Sequence, residues 1–313
     1  MEQERLFGDI IMKNKKKIPL WKLQQRQALP LDIKIELSKM RIREWYEYYN
    51  GLVYISFSGG KDSTVLLHLV RSMYPDVPAV FVDTGLEYPE IKDFVRTFDN
   101  TTIVRPEISF KQVLDIYGFP VISKKVARQV RELRNPTPNN KISRKLYLTG
   151  ITRTGDISRN FKLAKKWRKL IDAPFDISEK CCDVMKKKPM KKYERETKRK
   201  PFIGTMADNS LQRKFSYMQT GCNNFKNGKA MPMSFWLEKD VWDYIKKKKL
   251  EYCSIYNTGV TNTGCIYCMF GIQMDKSPNR FQCMKKSHPQ LYSYCINKLK
   301  IGEVLDYIDI KYD

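Results

Sequence analysis

Ser56-Phe57-Ser58-Gly59-Gly60-Lys61-Asp62-Ser63 is the stretch on which the fold turns. The apolar run Leu52-Val53-Tyr54-Ile55 leads into it as a buried strand, and Ser63–Tyr74 leads out of it with helical spacing. Two adjacent glycines let the backbone turn sharply and offer its N–H groups to an anion. Ser58 and Ser63 add hydroxyl donors, Lys61 adds a positive charge, and the following helix directs its N-terminus at the same place. The spacing departs from the Walker pattern G-x-x-x-x-G-K-[ST]. A Gly-Gly pair alone is also compatible with a structural turn, but the full S-G-G-K-D-S between strand and helix reads as a nucleotide phosphate loop.

Working outward, residues 31–50 carry Ile33, Ile35, Leu37, Met40, Ile42, Trp45 and Tyr48 at near-helical spacing. Val77–Val82 reads as a second buried strand, Glu90–Phe98 as a short amphipathic helix, Thr101–Val104 as a third strand and Pro201–Gly204 as another. Asn135–Asn140 is an exposed loop signal, Glu238–Lys249 a helix that Asp240 helps to start, and Pro289–Asn297 a further helix. Strands alternating with helices imply an α/β protein with a doubly wound parallel sheet. The expected division is a helical segment over residues 1–50, a nucleotide-binding α/β domain with a basic insertion over 51–240, and a helical, Cys-rich region over 241–313.

The 313 residues hold 58 Lys+Arg against 34 Asp+Glu, a formal net charge of +24, with 42% hydrophobic residues. That apolar content supports a packed core and excludes wholesale disorder. No apolar run is long enough to span a membrane, and residues 1–30 show no uninterrupted signal-like apolar stretch, so a cytoplasmic protein is expected. Charge is concentrated: residues 123–170 hold 15 Lys+Arg against Glu132 and Asp156, and residues 180–200 hold ten against Asp183, Glu194 and Glu196. These segments are either a solvated basic surface or a groove for the phosphates of DNA or RNA. The excess beyond what one nucleotide needs favours a nucleic-acid partner, with Lys186–Lys188 part of its surface.

The eight cysteines read as reduced thiols, available for metal binding or catalysis. Cys181-Cys182 and, far downstream, Cys265-x-x-Cys268 can together supply four thiolates to one centre, either zinc or a [4Fe–4S] cluster. Unligated thiols are the remaining reading. Cys222, Cys253, Cys283 and Cys295 are read as small buried residues, with Cys222 the most plausible reactive spare. Two histidines, His68 and His288, give a hydrolase triad no support.

The phosphate loop resembles that of the PP-loop ATP pyrophosphatases, and from about Gly51 to Tyr294 the chain is similar to their phosphoadenosine-phosphosulfate (PAPS) reductase-like branch. By that resemblance Ser58, Gly59, Gly60, Lys61, Asp62 and Ser63 would hold the pyrophosphate of ATP, with Mg²⁺ neutralising its charge. Asp83-Thr84-Gly85-Leu86-Glu87-Tyr88-Pro89 looks like the segment after the branch's second strand. It implies Asp83 and Thr84 near the nucleotide and Glu87 near the reacting end, so that Lys61, Asp62, Asp83 and Glu87 would be the catalytic set. Gly204-Thr205-Met206-Ala207-Asp208-Asn209-Ser210 is similar to a later active-site motif, with Asn209 where an acid is usual and Arg213 following at helical spacing. The cysteine pattern is similar to that of adenosine-5′-phosphosulfate (APS) reductases. It implies a [4Fe–4S] cluster on Cys181, Cys182, Cys265 and Cys268.

Two signatures together, phosphate loop and thiols, resemble the ATP pyrophosphatase of Dnd-type DNA phosphorothioation, with tRNA thiolation a sibling. The implied activity is adenylation of a substrate by ATP, releasing pyrophosphate, for sulfur transfer onto a nucleic acid. A separate donor such as a cysteine desulfurase would supply the sulfur. An APS or PAPS reductase yielding sulfite is the first alternative. It is disfavoured because such reductases use a Cys in a C-terminal E-C-G-[LI]-H segment that Leu305–Asp313 lacks, and because they do not carry an intact S-G-G-K-D-S. A non-catalytic, ATP-responsive nucleic-acid-binding subunit is the second.

Overall fold

The structure, a computed structural model, describes residues 18–158 and 160–313. Part of the helical segment expected over 1–50, residues 1–17, lies outside the described residues. The chain forms two compact units interleaved along the sequence. Of the described residues, the first comprises 18–82, 89–104 and 192–262; the second comprises 83–88, 105–158, 160–191 and 263–313.

The first unit contains a six-stranded sheet made from β1 (Val53–Ser56), β2 (Ala79–Val82), β3 (Thr101–Val104), β5 (Lys200–Ile203), β6 (Asn223–Asn224) and β7 (Lys229–Ala230). Its order is β3-β2-β1-β5-β7-β6. All neighbours run parallel except the terminal β6/β7 hairpin. Val53, Tyr54 and Ile55 of β1 and Ala79, Val80 and Phe81 of β2 are all buried, the continuous apolar pattern of strands covered on both faces. The Lys61–Arg71 helix buries Val65, Leu66, Leu69 and Val70. The Leu31–Tyr48 helix buries Ile35, Ile42 and Trp45. On that helix Lys34, 1% exposed, meets Asp240 of the Glu238–Lys248 helix at 2.6 Å. Asp240 also accepts from the Leu237 amide at 2.7 Å, the helix-starting role that its position implies.

The chain runs outward from β1 in two directions, to β2 and β3 on one side and to β5 on the other. That reversal of strand order between β1 and β5 is the signature of a doubly wound sheet, in which the loops leaving the strands at the reversal form the binding crevice. The Phe57–Gly60 loop leaves β1 there, and Gly204 leaves β5.

The second unit is mostly helical. It holds helices Phe110–Tyr117, Lys124–Arg134, Lys141–Thr149, Arg280–Ser287, Pro289–Ser293 and Ile301–Tyr307. A two-stranded parallel ladder joins β4 (Val121–Ile122) to β8 (Met269–Phe270). Ser109 and Gln112 cap the first of these helices reciprocally, and Ser123 caps the second. Gly118 sits at φ +91°, and a Cβ there would overlap the Asp176 carbonyl, so the turn accepts no side chain. The expected helix over Pro289–Asn297 ends at Ser293 and continues as a wider turn over Tyr294–Lys298. No helix among the described residues is long and apolar enough to cross a membrane.

Candidate functional site

Two constellations of chemistry-bearing residues stand out, one in each unit. In the first unit the Ser58–Ser63 stretch forms the expected tight turn between β1 and the Lys61–Arg71 helix. Gly59 lies at φ +69°, and a Cβ on it would sit 2.8 Å from Val95 and 2.9 Å from Ile91, so both conformation and space require glycine. Ser63 Oγ ties the loop together: it donates to the Gly60 carbonyl at 2.8 Å, accepts from the Ser58 amide at 3.1 Å and lies 3.0 Å from Ser58 Oγ. Gly204 packs close against Asp62, its virtual Cβ 3.0 Å from the Asp62 carbonyl, so the ends of β1 and β5 converge.

Lys61 is 4% exposed, its ammonium 3.1 Å from the Thr261 carbonyl, 3.1 Å from Glu238 and 3.8 Å from Asp62. Its amide, one of the N–H groups that a phosphate would use, donates instead to the Tyr256 hydroxyl at 2.9 Å. Burial raises the Asp62 carboxyl above the usual range, although Lys61 and Arg213 pull against it, and its Oδ1 accepts no hydrogen bond. Arg213 donates to Asn209 Oδ1 at 2.7 Å; burial lowers the guanidinium's proton affinity, which Asp62 partly restores. A glycine-lined turn bearing two hydroxyls, a buried lysine and a nearby arginine is fit to receive a polyphosphate.

Asp83, Thr84 and Glu87, expected around the nucleotide, belong to the second unit with the cysteines. Glu87 folds back on its own turn, accepting from the Thr84 amide at 3.0 Å and the Thr84 hydroxyl at 2.7 Å. Asp83 pairs with Arg105 at 3.3 Å. Lys186 reaches Glu87 at 4.0 Å and hydrogen-bonds Cys265. Burial works to lower its pKa, but the Cys265 thiol and Glu87 outweigh that and hold the ammonium above its ordinary value. Lys187 pairs with Asp183 at 2.6 Å. Within the proposed basic surface, Lys186 therefore turns to the thiols and carboxylate, and Lys187 is already paired.

Cys181, Cys182, Cys265 and Cys268 feel one another's charge within this unit. Burial pushes the Cys181 thiol far up and Cys265 up, with Lys186 opposing at Cys265. Cys268 is pushed up to about 11 by burial, opposed by a backbone hydrogen bond at Phe270. The thiols are not drawn into a closed ligand set: among the described residues no group of three or more Cys, His, Asp or Glu side chains is arranged to hold a metal ion. The donor chemistry suits a thiolate-bound centre, with four coupled thiols and a lysine to offset their charge. Arg280 fixes the segment behind them, donating to the Cys268 and Phe270 carbonyls at 3.1 Å each and pairing with both Asp275 oxygens at 2.7 Å.

The sequence reading set the lysine cluster after Cys181-Cys182 against the charge of the thiolates but did not single out Lys186, which stands one helical turn from Cys182 and meets Cys265. It also missed Tyr256, Glu238 and Arg280; no local signal marks the first two, because their partners lie about 200 residues away.

A parallel sheet with a glycine turn at its reversal point defines an α/β protein of the doubly wound class. Residues 52–154 and 139–270 match the phosphoadenosine phosphosulfate reductase domain, and the chain belongs to that family. An uncharacterized protein of Methanocaldococcus jannaschii is 24% identical over 274 residues, 83% of this chain and 51% of that protein. The chain thus spans about half the length of that relative. The adenosine 5′-phosphosulfate reductase of Anoxybacillus flavithermus is 23% identical over 250 residues, 79% of this chain and 86% of that enzyme. Its counterpart from Staphylococcus haemolyticus is 25% identical over 241 residues, covering 72% and 74%. Among solved structures, the phosphate complex of a Candida auris PAPS reductase aligns at TM-score 0.41 and 13% identity, covering 76% of this chain and 96% of that one.

Proposed function

We infer that this member of the PAPS reductase family is an ATP pyrophosphatase that activates a substrate oxygen for sulfur transfer, with a nucleic acid as acceptor. The observation that carries the reading is the complete Ser58–Ser63 loop at the β1/β5 reversal, with Lys61 buried beside it. A substrate oxygen attacks the α-phosphorus, the bond from that phosphorus to the bridging oxygen of the β-phosphate breaks, and pyrophosphate departs with the bridging oxygen. Gly59, Gly60 and the Ser58 and Ser63 hydroxyls orient the departing group, and Lys61 neutralises the charge that builds on it. Mg²⁺ is expected to accompany ATP, with Asp62, whose Oδ1 lacks a hydrogen bond, the nearest carboxylate of the loop. A sulfur nucleophile from a separate donor then displaces AMP from the activated oxygen's centre.

Cys181, Cys182, Cys265 and Cys268 would hold a [4Fe–4S] cluster. Such a cluster supplies electron transfer or sulfur coordination when bound. Lys186 offsets thiolate charge, and Glu87 keeps that lysine in place.

The relatives named adenosine 5′-phosphosulfate reductase favour a second reading, reduction of a sulfonucleotide to sulfite. Products separate the two. AMP and pyrophosphate from ATP, increased by DNA or RNA, support the first; sulfite from APS or PAPS supports the second. Release of ADP and phosphate would sink the pyrophosphatase reading.

A further inference from the structure

Residues 123–170 carry 15 lysines and arginines against two acids, and the second unit shows which charges remain outward. Glu132 is buried against Arg128 at 2.9 Å, and Arg131 pairs with Glu179 at 2.8 Å. Lys141, Lys145, Arg153 and Lys162 are exposed. Asp156 is the only exposed acid of the segment's described residues, and it accepts from Thr154 at 2.6 Å. The outward surface is therefore almost uniformly cationic.

The same segment exposes apolar groups that a merely solvated cationic stretch does not need. Ile157 is 78% exposed and Phe161 52%. Both are held by well-bonded backbone. Ile151 and Ile157 pair antiparallel across a tight turn, with the Thr152 amide donating to Asp156 at 2.8 Å, which places Arg153 in the turn. The Phe161 carbonyl accepts from Gln129 at 2.6 Å, and the preceding Asn160 carbonyl accepts from Lys125, so two residues of the Lys124–Arg134 helix fasten the backbone under the ring. Leu163 ties the segment to Tyr147 on the Lys141–Thr149 helix at 2.8 Å.

We propose that this lobe of the second unit binds single-stranded nucleic acid, with Lys141, Lys145, Arg153 and Lys162 on phosphates and with Phe161 and Ile157 against unstacked bases. Repeated cations suit a polyanion, and an anchored aromatic beside them suits the faces of bases, which a duplex hides. An anionic bilayer fits less well: Ile142 and Leu148, the helix's exposed apolar residues, lie about 120° apart around its axis with the exposed Lys141 and Lys145 between them, so they form no continuous apolar face to lie in a membrane. The proposal deepens the function inferred above by naming the surface, and takes from that reading only the acceptor's class.

Fluorescence anisotropy with a labelled oligonucleotide, single-stranded or annealed, tests it on the full chain without ATP. Single strands should bind more tightly than duplex, with affinity falling steeply as KCl rises. Phe161→Ala should weaken single-strand binding about tenfold and leave the salt slope unchanged. Lys145→Ala with Lys162→Ala should reduce the slope by about 0.7 per cation removed. Equal affinity of F161A and wild type, or equal affinity for duplex, overturns the proposal. So does binding confined to phosphatidylserine vesicles in a sedimentation assay. All three side chains are exposed, and an unchanged thermal transition verifies folding. Strand binding without pyrophosphate release sinks the enzymatic reading alone; release without binding at this lobe sinks the surface alone.

Discussion

Tyr256 places its hydroxyl on the Lys61 amide, where an anion's oxygen is expected. Tyr256→Phe frees that donor, so ATP should bind about fivefold more tightly, the worth of one modest hydrogen bond, as read by isothermal titration. An unchanged affinity would show that the two do not compete. Lys186→Met removes the cation that opposes burial at Cys265, so the thiol's pKa should rise and its alkylation by iodoacetamide near neutral pH should slow. Buried Cys222 has its thiol pushed up to about 12 by burial. Native and unfolded states both keep it protonated below its ordinary value of about 8.5. Above that, the unfolded chain loses the proton first, so its contribution to stability falls between about pH 9 and pH 12. Urea midpoints across that range should therefore fall less in Cys222→Ala than in wild type. The Ser58–Ser63 turn was legible at this scale because a tight backbone turn that requires glycine writes that requirement into adjacent residues. Tyr256 was not, because its role comes from a contact across 195 positions.

Elements show the same division. β1 and β2 could be read as strands because burial on both faces leaves unbroken apolar runs, β3 and β5 from shorter β-branched and aromatic stretches, and Asp240 announced the start of its helix. The ladder between β4 and β8 is two residues on each side, too short for any periodicity, and its partners lie some 150 positions apart. The Lys124–Arg134 helix was masked by its own charge, since its buried stripe of Ala127, Val130 and Leu133 is short and set among the basic residues that drew attention. At this scale the Lys34–Asp240 pair is the sharpest test of packing. Lys34→Met leaves Asp240 as an uncompensated buried carboxylate and should cost about 3–5 kcal/mol in urea unfolding. Adding Asp240→Asn should recover part of the loss; no recovery would mean that the ion pair is not what joins the two helices.

For the whole molecule, the net charge of +24 pointed to a polyanion, but the sequence could not show which cations are engaged inside. Lys61 and Lys34 are buried, Lys186 serves the thiols, and the segment around Phe161 keeps its charge outward. Linear segmentation was equally blind to interleaving, because contiguous residues were grouped where the fold alternates between units. That alternation orders events during synthesis. β1 is complete at Ser56, but its second neighbour, β5, begins at Lys200 and ends at Ile203, and the hairpin beyond follows at 223–230. Until those residues leave the ribosome, the central strand of the sheet has one open edge, able to pair with any passing chain. A nascent chain halted before Lys200 should accordingly be far more protease-sensitive, and more readily bound by chaperones, than one halted after Ala230.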